Sequence, residues 1–403
     1  MNAALTQLWS TRSLANCGQF FSGGTPNRSM AEYWGGTIPW ISAKSLKTFR
    51  VSDSEERVTV SGAENGTRMV PAGTLLFVVR GMSLAKEFRV AVTTGPVTFN
   101  QDLRALVPSS DVDPVYLTHF LRASEQKILG LVDHASHGTT RLTSDRMDGF
   151  EIPIPPLAEQ RRIAEVLDRA EALRTKRRAA LAQLDTLTQS IFLDLFGDPV
   201  SNSKKFPDTK VLGDVADLAS GITKGRVLRG QSTRTVPYLA VVNVQDRRLD
   251  LSLVKEIEAS EDEINRYRLV QDDLLLTEGG DPDKLGRGTL WRGELPECIH
   301  QNHIFRVRLT GDELDPLFLN WLVGSQRGKR YFLRSAKQTT GIASINMGQL
   351  KKFPLLIPPI ALQHDFARRI AAVEKLKSTQ CASLDELDAL FASLQHRAFR
   401  GEL

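Results

Sequence analysis

The chain has 403 residues, 41% of them hydrophobic and 25% charged, with a formal net charge of +5 and an isoelectric point near 9.1. This balance excludes a disordered or fibrous chain, and the length admits two or three domains, each with its own core. The basic excess permits a polyanionic partner without demanding one.

The first twenty residues carry no basic segment followed by an apolar run, so no secretory leader is expected. No window holds 18 consecutive apolar residues, so no membrane span is expected either. Cys17, Cys298 and Cys381 are too few and too far apart for a disulfide framework, and they fit a reducing cytoplasm. Further along come "SGGTPNRS" (22–29), a turn rich in glycine, and "TLLFVVR" (74–80), a β-rich run bounded by turn residues. "DPVYLTHFLRASEQKIL" (113–129) has helical apolar spacing after an Asp-Pro start. The paired prolines of "IPIPPLAEQRRI" (152–163) end a strand and open a long helix.

The same phrases then return. Pro155-Pro156 recurs as Pro358-Pro359, an offset of 203 positions, and at that offset Gln160 meets Gln363 and Phe196 meets Phe399 without a gap. Upstream, "DPVYLTHFL" (113–121) echoes "DPLFLNWLV" (315–323), and "TIPWISAKSL" (37–46) echoes "TVPYLAVVNV" (235–244). A tandem duplication follows, each copy a mixed α/β part of about 150 residues and then a helix of about 40. The expected boundaries are 1–152, 153–198, 199–354 and 355–403.

Within the repeated helices, Leu173, Arg177, Ala180, Leu184, Leu187 and Ile191 step by threes and fours. Phe366, Ile370, Val373, Leu376, Leu384, Leu387, Leu390 and Leu394 keep a similar rhythm. That is the narrow stripe of a coiled-coil seam. A helix of about 38 residues, roughly 57 Å long, needs a partner stripe, and its own duplicate is the nearest one. The expected fold is therefore α+β: two mixed α/β domains separated by two long antiparallel coiled-coil helices, with an internal pseudo-twofold repeat.

Three segments identify a family. "SGGTPNRSMAEYWGGTIPWI" (22–41), "IPIPPLAEQRRI" and the ending "FRGEL" (399–403) resemble the specificity subunit of type I restriction-modification systems. The second copy departs from the pattern, with Leu362 where the first has Glu159 and "SGITKG" (220–225) in place of "GGTP". The resemblance implies two target recognition domains reading a bipartite, asymmetric DNA site. It implies helices that space them and dock two adenine methyltransferase subunits, with nuclease-translocase subunits able to join. The subunit itself would be non-catalytic and hold no cofactor. S-adenosylmethionine, ATP and magnesium would sit on the partners, and the whole complex would be an adenine-N6 methyltransferase and ATP-dependent endonuclease. A helix of this length corresponds to roughly 17 base-pair steps, so it would act as a ruler between half-sites.

Base reading needs donors and acceptors on exposed loops. In the first copy the candidates are Asn27 and Arg28; Arg80, Ser83, Lys86 and Arg89; and Thr139, Thr140 and Arg141. In the second they are Lys224, Arg226 and Arg229; Lys284 and Arg287; and Lys337, Gln338, Thr339 and Thr340. "GTTR" (138–141) and "QTTG" (338–341), each just upstream of its proline pair, are taken as equivalent. The basic run "RTKRRAA" (174–180) is either a solvated helix face or a contact to DNA phosphate or an acidic patch of the methyltransferase.

The parts of an enzyme are missing from the sequence. "GSQRGKR" (324–330) has the wrong spacing for a phosphate-binding loop, and "IPPL" and "IPPI" lack the polar residue of the adenine methyltransferase motif. "CIHQNH" (298–303) is one short cluster without a second ligand pair, so no metal is expected. Three alternatives stay open: a methylation-only or related phage-defence complex, a coiled-coil scaffold without sequence readout, and an unrecognised nuclease or transferase.

Overall fold

The computed structural model describes residues 9–134, 140–227, 232–281, 285–339 and 342–403. The chain divides into two compact units, Met1–Ala179 with Cys381–Leu403, and Ala180–Gln380.

In the first unit the strands of the two larger sheets are β1 (Gly18–Ser22), β2 (Trp34–Ile41), β3 (Arg50–Val51), β4 (Arg57–Val58), β5 (Met69–Val70), β6 (Leu75–Val78), β7 (Val90–Thr93), β8 (Val97–Phe99) and β9 (Leu103–Pro108). One sheet has the order β1-β9-β6-β7-β3 and the other β4-β2-β8-β5. Central strand β6 is buried at all four positions, Leu75, Leu76, Phe77 and Val78, because both its faces are covered. Helix α1 (Pro114–Ala123) packs on β7. It starts where the sequence predicts: Pro114 presets φ at the first turn, and Asp113 Oδ1 accepts from the Val115 and Tyr116 N–H groups at 3.0 and 2.9 Å.

Helix α2 runs from Leu157 to Phe196. In the second unit follow β10 (Ala216–Ser220), β11 (Thr233–Leu239), β12 (Lys255–Ser260), α3 (Glu261–Tyr267), β13 (Leu274–Thr277), β14 (Gly288–Leu290), β15 (Ile299–His300), β16 (Ile304–Leu309), α4 (Pro316–Val323), α5 (Gln326–Ser335) and α6 (Ile360–Ala398). The sheet order β10-β16-β13-β14 repeats β1-β9-β6-β7 of the first unit. The parallel pair β2/β8, with Ile41 opposite Phe99, repeats as β11/β15, with Leu239 opposite His300. The duplication read from sequence is thus a duplication of topology.

One side chain explains the repeated glutamine. Gln160, fully buried on α2, accepts from the Asp113 N–H at 2.7 Å and donates to the carbonyls of Asp111 and Pro155 at 3.0 and 2.8 Å. Gln363 on α6 repeats all three bonds, accepting from Asp315 N–H at 2.8 Å and donating to Glu313 and Pro358 at 3.0 and 2.8 Å. In each unit this amide ties the helix start to the Asp-Pro cap of the shorter helix. Only a side chain with both an acceptor and two donors satisfies the three groups.

Both units hold an antiparallel stretch of the two long helices, the opening of one against the close of the other. In the first, Ile163, Ala164 and Leu167 of α2 cluster with Leu394 and Ala398 of α6, with Phe399 and with Tyr116. Phe399 lies edge-on to Phe120 at 5.1 Å. In the second, Phe192 and Phe196 of α2 meet Phe366 of α6 at 5.6 and 5.4 Å, and Phe318 and Trp321 of α4 close the cluster.

The seam differs from the expected stripe. Leu173, Leu187, Leu376 and Leu390 are 54, 44, 45 and 51% exposed. Phe366, Ile370 and Val373 are buried, while Leu184, Ile191, Leu387 and Leu394 are half-buried. The middle of the helix pair uses charged side chains instead. Arg174 and Arg178 hold Asp388 in the first unit, the latter at 3.1 Å, and Lys377 holds Asp185 at 2.9 Å in the second. Long arginine and lysine stems pack inward while their charges pair, so a pattern based on apolar residues alone picks the neighbouring leucines.

Candidate nucleic-acid interface

The "GGTP…YWGG.IPW" segment builds a small rigid corner. Trp34 and Trp40 meet edge-on at 5.3 Å, and their indole N–H groups donate to the carbonyls of Asn27 and Gly24 at 3.2 and 3.0 Å. Gly23 is needed there because a Cβ would fall 2.3 Å from the Asn100 carbonyl oxygen. Arg28 stacks 4.0 Å from the Trp34 ring centroid and 4.9 Å from that of Trp40, and its guanidinium pairs with Glu56. That partner draws the Glu56 carboxyl below its ordinary range. Asn27 folds onto Ser29, accepting from its N–H and hydroxyl at 3.0 and 2.8 Å. Both candidates are engaged within the chain.

The loop after β6 and the strand at 140–141 come together, although about sixty residues separate them. Gly81, at φ 132°, donates its N–H to the Thr140 carbonyl at 3.2 Å, and the Thr140 hydroxyl donates back to the Gly81 carbonyl at 2.5 Å. Leu142 N–H donates to the Val79 carbonyl at 2.9 Å. Thr140 is buried and serves this clasp, not the surface. Arg80 and Arg141 form the bridge between the two segments, both exposed. They line a polar pocket of about 240 Å³ with Phe20, Gln101, Arg104 and Ser144. Arg104 is held from behind by Asp148 at 2.5 Å and lies 3.9 Å from the Phe20 centroid. Thr25 donates to Gln101 at 2.5 Å, joining the "GGTP" turn to the same rim.

Of three further candidates of that loop, two are half-buried and one is exposed. Arg89 is clamped to Glu87 at 2.5 and 3.0 Å and to the Ala43 carbonyl at 3.1 Å. Ser83 caps a turn through its carbonyl, which accepts from Lys86 and Glu87 N–H at 3.0 Å each. Lys86 is exposed.

In the second unit the same backbone pattern carries different chemistry. Glu278 N–H donates to the His303 carbonyl at 3.0 Å, as Val79 N–H does to Asp102 at 2.9 Å. Ile345 N–H donates to Glu278 at 2.9 Å, as Leu142 does to Val79. Gly279 faces Ser344 where Arg80 faces Arg141. This register corrects the equivalence taken from sequence: the counterpart of Arg141 is Ser344, and "QTT" lies on the preceding strand, Lys337–Thr339. An arginine-bearing rim in one unit is thus replaced by glycine and serine in the other, beside a His303–Glu278 pair at 2.5 Å.

Of the other second-unit candidates, Arg226 is clamped to Glu263, whose carboxyl is drawn down to about 2, and donates to the Glu258 carbonyl at 2.8 Å. Arg287 donates to Gln245 at 3.2 Å, and its Nε is buried without a partner. Lys224 is exposed, with Nζ 5.1 Å from the Tyr238 ring. Lys337 is exposed on its strand. Thr139, Arg229, Lys284 and Thr340 lie outside the described residues; of Gln338 and Thr339 only the backbone register is described.

Among the described residues no group of three or more His, Cys, Asp or Glu is placed to hold a metal, and no helix is long and apolar enough to cross a membrane. The exposed leucines form a pattern that the sequence reading missed. Leu173 and Leu390 belong to the first unit, Leu376 and Leu187 to the second, and the offset of 203 converts one pair into the other. Each unit thus offers solvent the same two leucines on its helix pair.

Comparison with known proteins gives this architecture a class. Residues 7–183 match the family model of the type I restriction modification DNA specificity domain. The fold of the whole chain is that of a type I specificity subunit: it aligns with the crystal structure of the type I restriction-modification S subunit from M. genitalium at a TM-score of 0.58. That alignment covers 99% of this chain and 98% of the other at 13% identity. The chain is similar to the EcoR124I/EcoR124II specificity subunit of Escherichia coli, 32% identical over 40% of this chain and 41% of that one. It is also similar to the StySPI specificity subunit of Salmonella potsdam, 26% identical over 74% and 67%. The aligned stretch spans less than half of the first relative and about two thirds of the second. Residues 7–183 thus carry the type I restriction modification DNA specificity domain, and the whole chain shares the fold of the S subunit it aligns with.

Proposed function

We propose that this protein is the DNA sequence-recognition subunit of a type I restriction-modification complex, with each unit reading one half of a bipartite, asymmetric site. The observation that carries this reading is the contrast between the duplicated units. Sheet order, Asp-Pro cap and buried glutamine repeat, while the loop rim changes from Arg80 and Arg141 to Gly279 and Ser344. A duplicated scaffold with divergent rims is what two different half-sites require, because bases are read by side-chain chemistry and the phosphate backbone is the same at both.

The subunit works without catalysis of its own, in the cytoplasm, and its helices set the unread spacer. The paired exposed leucines support one docking patch per unit, and so two methyltransferase subunits. These partners supply S-adenosylmethionine chemistry, and joined nuclease-translocase subunits supply ATP- and magnesium-dependent cleavage. The DNA-contacting set is best drawn from the exposed candidates Arg80, Lys86, Arg141, Lys224 and Lys337. Selection of bound duplexes from a random pool by the chain with its methyltransferase tests the reading. Two short, different, separated sequences are expected; unselective binding refutes it.

A further inference from the structure

We propose that Arg80 and Arg141 are the guanine-reading pair of the first unit, their two guanidiniums binding the N7 and O6 acceptors of guanine in the major groove. This rests on the specificity reading above and adds a base identity and the residues that set it.

Arg80 and Arg141 face each other across an antiparallel bridge, which puts the two side chains on the same side of the ribbon and in reach of one another. Two like charges so placed repel unless an acceptor lies between them. Neither has a carboxylate partner among the described residues, whereas Arg12, Arg28, Arg50, Arg57, Arg89 and Arg104 of the same unit each have one. Asp133, across the strand pair from Arg141, is held by Arg146 at 2.8 Å, so the two guanidiniums are left open towards the pocket they line.

The backbone beneath them is fixed before any ligand arrives. The Gly81–Thr140 clasp and the Leu142–Val79 bond hold both segments just beyond the C-terminal end of the buried central strand β6. Preorganisation of this kind lowers the ordering cost of binding. The planar fork of arginine matches the two acceptors of guanine, the commonest specific contact in the major groove.

Phosphate is the competing ligand for a pair of arginines, and the duplication decides against it. The sugar-phosphate backbone is identical at both half-sites, so a phosphate contact at this position has the same use in both units. The second unit has Gly279 and Ser344 there. Lys337 lies across from Ser344 where the first unit has Asp133 across from Arg141, so a single cation is kept nearby for a phosphate while the arginine pair itself, the part suited to a base, is what differs.

The test uses the complex of the full chain with its methyltransferase and the duplexes recovered by selection. Each guanine in turn is replaced by 7-deazaguanine, which lacks the N7 acceptor. We expect one position in one half-site to lower affinity about tenfold or more. In the double variant R80Q/R141Q that sensitivity disappears while the preference at the other half-site persists, which also shows the variant folded. Insensitivity at every guanine, or sensitivity kept by the double variant, overturns the proposal. So does uniform weakening with unchanged base preferences and a shallower salt dependence, the mark of a phosphate contact. If selection recovers no sequence at all, the specificity reading falls and this inference falls with it.

Discussion

At the scale of the residue, two buried side chains carry separate predictions. Gln160 satisfies one N–H and two carbonyls in a buried site, so Gln160→Leu leaves all three unpaired. A loss of about 3 kcal/mol is expected by denaturant unfolding, and Gln363→Leu should cost a similar amount in the second unit. Glutamate at either position keeps the acceptor and loses the donors, so it should recover only part. His300 is wholly buried, its Nδ1–H donating to the Ile304 carbonyl at 3.0 Å and its Nε2 without a partner. Burial favours the neutral ring and lowers it to about 4 from 6.5. The unfolded chain then takes up this proton first as pH falls. The contribution is whole above pH 6.5 and is lost between 6.5 and 4, about 3 kcal/mol in all. The first unit has Phe99 at this position of the parallel pair. His300→Phe should therefore narrow the stability gap between pH 7 and pH 4.5 relative to the parent. An unchanged gap by urea titration at the two pH values contradicts this. That His300 is a core residue is not legible in "CIHQNH", because a histidine in a short strand-like run carries no mark of which face is buried. Arg28, Arg89 and Arg226 read as open cations in the sequence because the acids that hold them, Glu56, Glu87 and Glu263, are matched to them only in the fold.

At the scale of the element, the helices were legible in their length and duplication and illegible in their facing. Prolines, caps and the gapless repeat announce where α2 and α6 lie. Which stripe turns inward depends on pairs such as Arg174 with Asp388 and Lys377 with Asp185. These two pairs are one pair copied, since the offset of 203 carries residue 174 to 377 and 185 to 388. Charge pairs at facing positions fix register and orientation more than they add stability. Asp388→Arg alone should destabilise the helix pair, and R174D/D388R should recover most of the loss. A double-mutant cycle is expected to give a coupling of about 1 kcal/mol; no coupling would remove the pair as a register device. The exposed leucines make the opposite prediction. Leu173→Ser with Leu390→Ser should leave the stability of the chain within about 0.5 kcal/mol. On the proposed reading of one docking patch per unit, it should remove one methyltransferase copy by native mass measurement, and the matching Leu187→Ser with Leu376→Ser change should remove the other.

At the scale of the whole molecule, one scaffold is used twice, and the rims of its two copies differ. The duplication was legible because buried positions and caps tolerate little change. The divergence of the rims was not, since the counterpart of Arg141 emerges only from strand register and proves to be Ser344. A heptad inserted within 175–183, matched by one at the facing position of α6, should lengthen the unread spacer and leave both half-sites as they were. The most direct measurement is the methylation pattern of a host free of modification that expresses the methyltransferase with and without this chain, mapped at N6-methyladenine. A single bipartite motif with two unlike halves, present only with the chain, is expected. No new methylation from a soluble, associated complex, or a motif that is continuous or symmetric, would contradict it.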